Sequence, residues 1–248
     1  MKKLFLAFIG IALVCISCNV NLKSPFKPDH VVVESGNIVE KTFNLGMFDE
    51  VDVYGSLNVN FVPSAGEYKV KVKCSDNIMD LFSVQNNDAT LKLSFKKDVS
   101  VRYNTLDITV YAPTLETLWV GGSGKADLSE GLSTDDLKLE VSGSGNIHGM
   151  GIKANDVDIK VTGSGNIKIA DLTAEELEAE ITGSGDIALA GTANKADYKI
   201  SGSGNIEGSA MVAERGEVSI TGSGNVRCNV KQLSQHISGS GKVKNRFK

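Results

Sequence analysis

The sequence predicts an all-β protein: a parallel β-solenoid with about 20 residues per coil, preceded by a β-rich N-terminal capping module. Three observations predict it. A Gly-Ser-Gly unit begins at Gly122, Gly143, Gly163, Gly183, Gly202, Gly222 and Gly239, in steps of 21, 20, 20, 19, 20 and 17 residues. Between the units Val, Ile and Leu alternate with polar residues, with no helical apolar stripe. When the units are aligned, like residues recur at like positions, as strands stacked in register about 4.8 Å apart require. Seven coils make a rod of roughly 30 Å, and right-handed coiling is the hand expected of parallel crossovers.

The elements follow in chain order. Met1-Lys2-Lys3 and the almost wholly apolar run over 4–16 read as a secretory signal, too short to span a bilayer as a mature helix. Ser17-Cys18 then resembles a bacterial lipoprotein processing site, with Cys15 where leucine is usual. Residues 1–17 are therefore expected to be removed and Cys18 acylated, anchoring the protein to an envelope membrane, the outer membrane first among them, facing the periplasm or the surface. Plain signal cleavage is the simpler alternative. Residues 18–30, with Pro25 and Pro28, read as a tether.

Residues 31–113 are expected to form the capping module. "VESGNIVEK" and "VYGSLNVNF" look like degenerate copies of the repeat, "YKVKVKC", "ATLKLSF" and "LDITVYAP" like further strands, and "DNIMDLF" like a short helical turn. Cys74 and Cys228 fall on period-2 apolar faces and read as buried free thiols.

Residues 114–248 are expected to form the solenoid. Its inward columns are Leu118, Leu139, Ile159, Ala179, Tyr198 and Val218; Val120, Val141, Val161, Ile181, Ile200, Ile220 and Ile237; and Ala126, Ile147, Ile167, Ile187, Ile206, Val226 and Val243. The repeat glycines share their parity, so they either let the opposing wall approach or let the strand bend at a corner. On the opposite parity, Ser144, Ser164, Ser184, Ser203 and Ser223 form one polar column, and Asn146, Asn166, Asp186, Asn205 and Asn225 another. Hydrogen-bonded side-chain ladders on an outer face or at a corner fit both columns.

Two outward columns carry charge. Glu140, Lys160, Glu180 and Lys199 alternate in sign below Trp119. Lys138 is followed by Asp158, Glu178, Asp197 and Glu217, which either are screened diagonally by Lys160 and Lys199 or form a shallow surface for cations or a basic partner. Trp119 either packs on the N-terminal module or stacks on a sugar or partner.

The order of "FDEVDVYGSLNVNF", "LDITVYAPTLETLWVGGSG" and the "SGSGNI"-like run resembles a family of bacterial envelope proteins, the auto-transporter adhesin "head GIN" domain, over roughly Gly36 to Val243. The resemblance implies an all-β, β-helix-like fold attached to the envelope. It brings no catalytic or binding residues with it.

Motifs for chemistry fail on inspection. Gly124-Lys125 is preceded by Trp119 where a phosphate loop needs glycine and followed by Ala126 where it needs Ser or Thr. "GSGNIHG" places Gly149 one residue late for a dinucleotide fingerprint. Ser164 lacks the Gly-x-Ser-x-Gly frame of a nucleophile elbow. His30, His148 and His236 lie far apart in sequence with no carboxylate or cysteine cluster, so neither metal site nor triad is expected. Formal charge is −4, and loss of Lys2 and Lys3 with the leader takes it to −6, unlike a nucleic-acid binder.

The expectation is a non-catalytic, lipid-anchored module without metal or cofactor, binding a glycan or another envelope component. Its candidate surface is Trp119, Asp158, Glu178, Asp197 and Glu217. A scaffold that self-associates through a solenoid end or face is the alternative. A polysaccharide-active enzyme using the four carboxylates comes third.

Overall fold

The computed structural model describes residues 30–247. The proposed leader, Cys18 and the tether up to position 29 lie outside the described residues. The described residues are mostly strand, and the one helix among them is a single turn, Asp76–Met79, in the "DNIMDLF" segment. Parallel strands stack coil upon coil at the spacing of the repeat.

The coil that starts at Asp156 shows how the pattern of residues bends the chain. Along Asp156–Gly163 and on through 165–169, odd-numbered residues face inward. The alternation slips by one at Ala170-Asp171, where Asp171 takes φ 55°, and again at Glu175-Glu176, where two exposed residues are adjacent. Each slip turns the chain, and the Gly-Ser-Gly unit turns it a third time. The coil therefore has three faces: 156–163, 166–169 and 172–174. Val161 sits in register between Val141 and Ile181, and Ile167 between Ile147 and Ile187, all fully buried.

The glycines belong to the corner, but their close neighbour is the preceding coil rather than the opposing wall. Ser164 N–H and Gly165 N–H both donate to the Gly143 carbonyl, at 2.8 and 2.9 Å, and Asn166 N–H donates to the Gly145 carbonyl at 3.0 Å. The serine bond recurs from Ser123, bonded to Gly55, down to Ser240, bonded to Gly222, and the second glycine's N–H joins it from Gly165 to Gly241. They bring each carbonyl to where the next glycine's Cβ would stand: a Cβ on Gly163 would lie 2.5 Å from the Gly143 oxygen. A Cβ on Gly145 would lie 2.9 Å from the Gly124 oxygen and 2.7 Å from Val120 Cγ1. Gly163 also has φ +121°, which disfavours any side chain.

The solenoid begins earlier than position 114. Glu50–Gly55 pairs in parallel with Thr117–Gly122, Gly55 opposite Gly122, and Asn58–Pro63 continues that coil beneath Lys125–Leu128. "VYGSLNVNF" is thus the corner of a first coil with two of the three faces, and the chain leaves the stack after it and returns at Thr117. The intervening segment builds the cap. Thr90–Phe95 and Leu106–Ala112 extend two of the walls in parallel, and antiparallel strands then close them. One continuous core runs from Phe48 to Val230, so a boundary at 113/114 separates no structural units. "VESGNIVEK", by contrast, is not a coil: Ile38–Asn44 pairs antiparallel with Lys69–Ser75 as an edge of the cap, and a Cβ on Gly36 would meet nothing within 4 Å.

Cys74 and Cys228 are buried and free, and burial pushes the Cys228 thiol up to about 11. Tyr198 is the largest fully buried side chain, in a column of aliphatic residues. Gly208 makes room for it, since a Cβ there would lie 3.0 Å from the tyrosine oxygen. That hydroxyl has no hydrogen-bond partner among the described residues.

Three outcomes follow for urea unfolding. Gly165→Ala should lower stability by about 2–4 kcal/mol, because its methyl overlaps backbone that cannot move without breaking the ladder. Ser164→Ala, at an exposed position held by its backbone, should stay within about 0.5 kcal/mol of the parent. Tyr198→Phe should raise the midpoint, by about 1 kcal/mol in stability, because it removes a desolvated hydroxyl without changing the packing.

Candidate functional site

The first face of each coil presents four outward columns, at 156, 158, 160 and 162 in the coil that starts at Asp156, and the candidate surface lies on them. Trp119 stands in the column of Lys160, in register with Asp52 on one side and Glu140 on the other. Its indole lies across Gly121, where a Cβ would collide with the ring. In every later coil this position is Ser or Thr: Ser142, Thr162, Thr182, Ser201, Thr221 and Ser238. Gly121 is therefore a glycine of a different kind from the corner pair, bare so that the tryptophan can lie flat.

Trp119 packs against Tyr54 of the first coil, ring centroids 4.8 Å apart and planes at 59°. Tyr54 is 39% exposed, so the two rings form an aromatic shelf open to solvent. Beside it Tyr54 O–H donates to Asp52 Oδ2 at 3.3 Å, and Lys92 Nζ lies 3.9 Å from the same carboxylate. Burial pushes the Asp52 carboxyl up, with Lys92 opposing, and burial followed by the Asp52 charge pushes the Tyr54 phenol up. The hydroxyl thus stays a donor at neutral pH.

Below the shelf a groove of about 580 Å³ runs down the edge of the same face, from Glu116 and Thr117 to Asp197. Asp158, Glu178 and Asp197 line it, and Glu217 continues their column beyond it. Asp136, Asp156 and Glu176, in register with one another one column over, line it as well. This second acidic column was readable at the repeat spacing, two residues before the first on the same strand and with the same outward parity. Lys160 and Lys199 form their ion pairs away from the groove carboxylates. Both reach Glu180, at 3.8 and 4.0 Å. Lys195 enters the groove instead, 2.9 Å from Asp197 and 3.5 Å from Glu176.

The polar columns differ from one another. Ser144, Ser164, Ser184, Ser203 and Ser223 stand at the corner and are tied through their backbone N–H groups. The asparagine column is linked through side chains: Asn166 to Asn146 at 3.0 Å, Asn205 to Asp186 at 2.9 Å and Asn225 to Asn205 at 2.9 Å. Between Asn166 and Asp186 the link is from the Asp186 backbone N–H, at 3.2 Å.

Register also brings together residues distant in sequence. Asp127 lies opposite His148, whose Nδ1 is 3.4 Å from Asp127 Oδ2 and 3.0 Å from Ser129 Oγ. Hydroxyl and carboxylate therefore meet the same ring nitrogen. A nucleophile relay needs them on opposite nitrogens, so this trio is not built as one. Burial opposes the Asp127 charge, but the Ser129 hydrogen bonds and His148 outweigh it and hold the carboxyl below its usual range. Among the described residues no group of three His, Cys, Asp or Glu side chains could hold a metal ion.

Comparison with known proteins adds the following. A family model described as "Putative auto-transporter adhesin, head GIN domain" matches residues 47–170 and again 149–246. A crystal structure described as a putative lipid binding protein from Parabacteroides distasonis is 23% identical, with a TM-score of 0.80 over 87% of this chain and 99% of that one. Another, a putative adhesin from Bacteroides fragilis, is 26% identical, with a TM-score of 0.77 over 86% and 99%. A third, a putative adhesin from Parabacteroides merdae, is 20% identical, with a TM-score of 0.73 over 87% and 98%. No curated protein matches the chain.

If the groove carboxylates repel one another, Glu178→Gln should raise stability by under about 1 kcal/mol at low salt. The gain should vanish in 1 M salt, where the screening length is about 3 Å. Unfolding curves at two salt concentrations measure both.

Proposed function

Because the chain belongs to the family described as "Putative auto-transporter adhesin, head GIN domain", we propose that it is a non-catalytic envelope protein that binds glycan on the first face of its solenoid. An adhesin family implies a place in the cell envelope or at its surface, and Cys18, if acylated, would anchor the protein there.

The observation that carries the reading is the aromatic shelf. Tyr54 and Trp119 come from adjacent coils and share one outward face, and Gly121 is left bare beneath the indole. Folding a large apolar side chain onto a solvent face that is otherwise Ser, Thr, Lys and Glu has no core-forming purpose. Rings so placed offer an apolar plane to the C–H face of a pyranose, and Asp52, Lys92 and Glu140 surround them with donors and acceptors for its hydroxyls. Stacked coils hold these groups on rigid strands, so little side-chain entropy is lost on binding.

Trp119 is the chain's single tryptophan, so its fluorescence reports on the shelf directly. Titration with a panel of neutral and acidic oligosaccharides should change that emission for at least one member. Tyr54→Ala should weaken the response tenfold or more, and Trp119→Ala should abolish retention on the same sugars immobilised, both in a protein that remains folded and loses no more than about 1–2 kcal/mol of stability with the ring pair. A folded protein that responds to no oligosaccharide would overturn the reading. For the anchor, Cys18→Ala should move the protein from the membrane fraction to the soluble fraction and end labelling by radioactive palmitate.

A further inference from the structure

The two ends of the stack are finished differently. At the cap end, the edge strand Ile38–Asn44 carries Glu40 and Lys41, and Lys41 lies on the inward side with its Nζ 4.7 Å from the Phe43 ring centroid. An inward-pointing charge on an edge strand discourages another strand from pairing there. At the other end, two of the three faces are likewise closed. Lys242–Asn245 covers the second face with Lys242 and Lys244 on its outer edge. On the third, the Asn245 side chain acts as a strand: its Oδ1 accepts from Val230 N–H at 3.0 Å and its Nδ2 donates to the Val230 carbonyl at 2.7 Å.

At this end only the first face is left open; at the cap end the edge of Phe82–Asn87 is also without a strand partner among the described residues. Residues 232–239 pair with the preceding coil through 215–222, and among the described residues no strand pairs with their other edge. The segment 232–241 contains no Lys, Arg, Asp or Glu. Its inward row is Leu233, Gln235 and Ile237, opposite Gly216, Val218 and Ile220. Ile237 is 38% exposed although its column is buried in every earlier coil, and Gln235 stands where those coils carry an aliphatic residue or Tyr198.

We propose that this edge pairs with the same edge of a second copy, giving a two-fold, tail-to-tail dimer joined by antiparallel strands. The inward row is self-complementary in one register. With Gln235 on the axis opposite the Gln235 of the second copy, Leu233 meets Ile237 of that copy, and Ile237 meets its Leu233. A glutamine amide has both donors and an acceptor, so the central pair can satisfy itself. On the outward side Ser234 meets His236 of the second copy, and no like charges face one another along 232–239. A shift of one residue in either copy would place Gln235 opposite Ser234 or His236 and bring apolar residues against polar ones from the other side. A shift of two would set Gln235 against an aliphatic residue. The two-fold register is therefore the one that buries Leu233 and Ile237 without stranding an amide. Lys242 and Lys244 on the neighbouring edge at this end disfavour pairing there. The inference is independent of the glycan reading, since the aromatic shelf lies in the first two coils.

The test uses the full chain in its own envelope. Gln235→Cys should yield a disulfide-linked species of twice the chain mass under mild oxidation, because residues facing each other across an antiparallel pair lie about 4.5–5.5 Å apart. Ser184→Cys, also exposed but on an inner coil, serves as the control and should yield at least tenfold less. Adding Ile237→Lys to Gln235→Cys should cut the dimer at least tenfold by placing two lysines at the interface, while the urea midpoint stays unchanged. Equal crosslinking of Gln235→Cys and Ser184→Cys would overturn the proposal. So would a crosslinked product of any other mass, or a dimer that survives Ile237→Lys in a folded protein.

Discussion

Everything in this fold hangs on one backbone contact: the carbonyl of a corner glycine accepting two N–H groups from the coil that follows. That contact fixes how far apart coils sit and in which register, and it takes up the space a Cβ would need. The glycines are thus a requirement of coil-to-coil hydrogen bonding rather than of flexibility. Once the corner is set, side chains on either side fall into line, and burial of the aliphatic columns provides the driving force. The asparagine ladder beside the corner adds side-chain bonds along the same axis.

The solenoid was legible because its signal is repeated. Spacing, inward columns and polar columns all follow from aligning on Gly-Ser-Gly, and each is an average over seven copies. The degenerate copies were harder to separate. "VYGSLNVNF" and "VESGNIVEK" look alike as strings, yet only the first has Gly55 opposite Gly122 and becomes a coil. What distinguishes them is the partner each strand finds, and local sequence does not carry that. The surface was legible where register alone decides it, as at Asp158, Glu178 and Asp197. Spacing and parity also carry Asp136, Asp156 and Glu176; what they do not carry is a pair that needs two coils joined, as with Tyr54 and Trp119. One signal for the last pair was available: Gly121 breaks a column that is otherwise Ser or Thr.

A stacked wall separates the work of holding the fold from the work of presenting a surface. Inward positions accept little change, because each is packed between the same positions of its neighbours. Outward positions on the first face carry aromatic, acidic, basic and hydroxyl residues in adjacent columns without disturbing the stack. An aromatic shelf at one end of such a face and an acidic groove along its edge share one rigid frame, so the distance between them is set by the number of coils.

The uneven steps between corners lead to a further point. Steps of 21, 20, 20, 19, 20 and 17 residues end at the same glycine register, because the irregularities are absorbed where the chain crosses from the second face to the third. A residue gained or lost there alters one coil only, since the next corner restores the phase. Length variation is confined to one side of the rod, and errors do not accumulate along it. Such a chain can be lengthened, shortened or decorated on that side through evolution while the opposite face keeps its alignment from end to end.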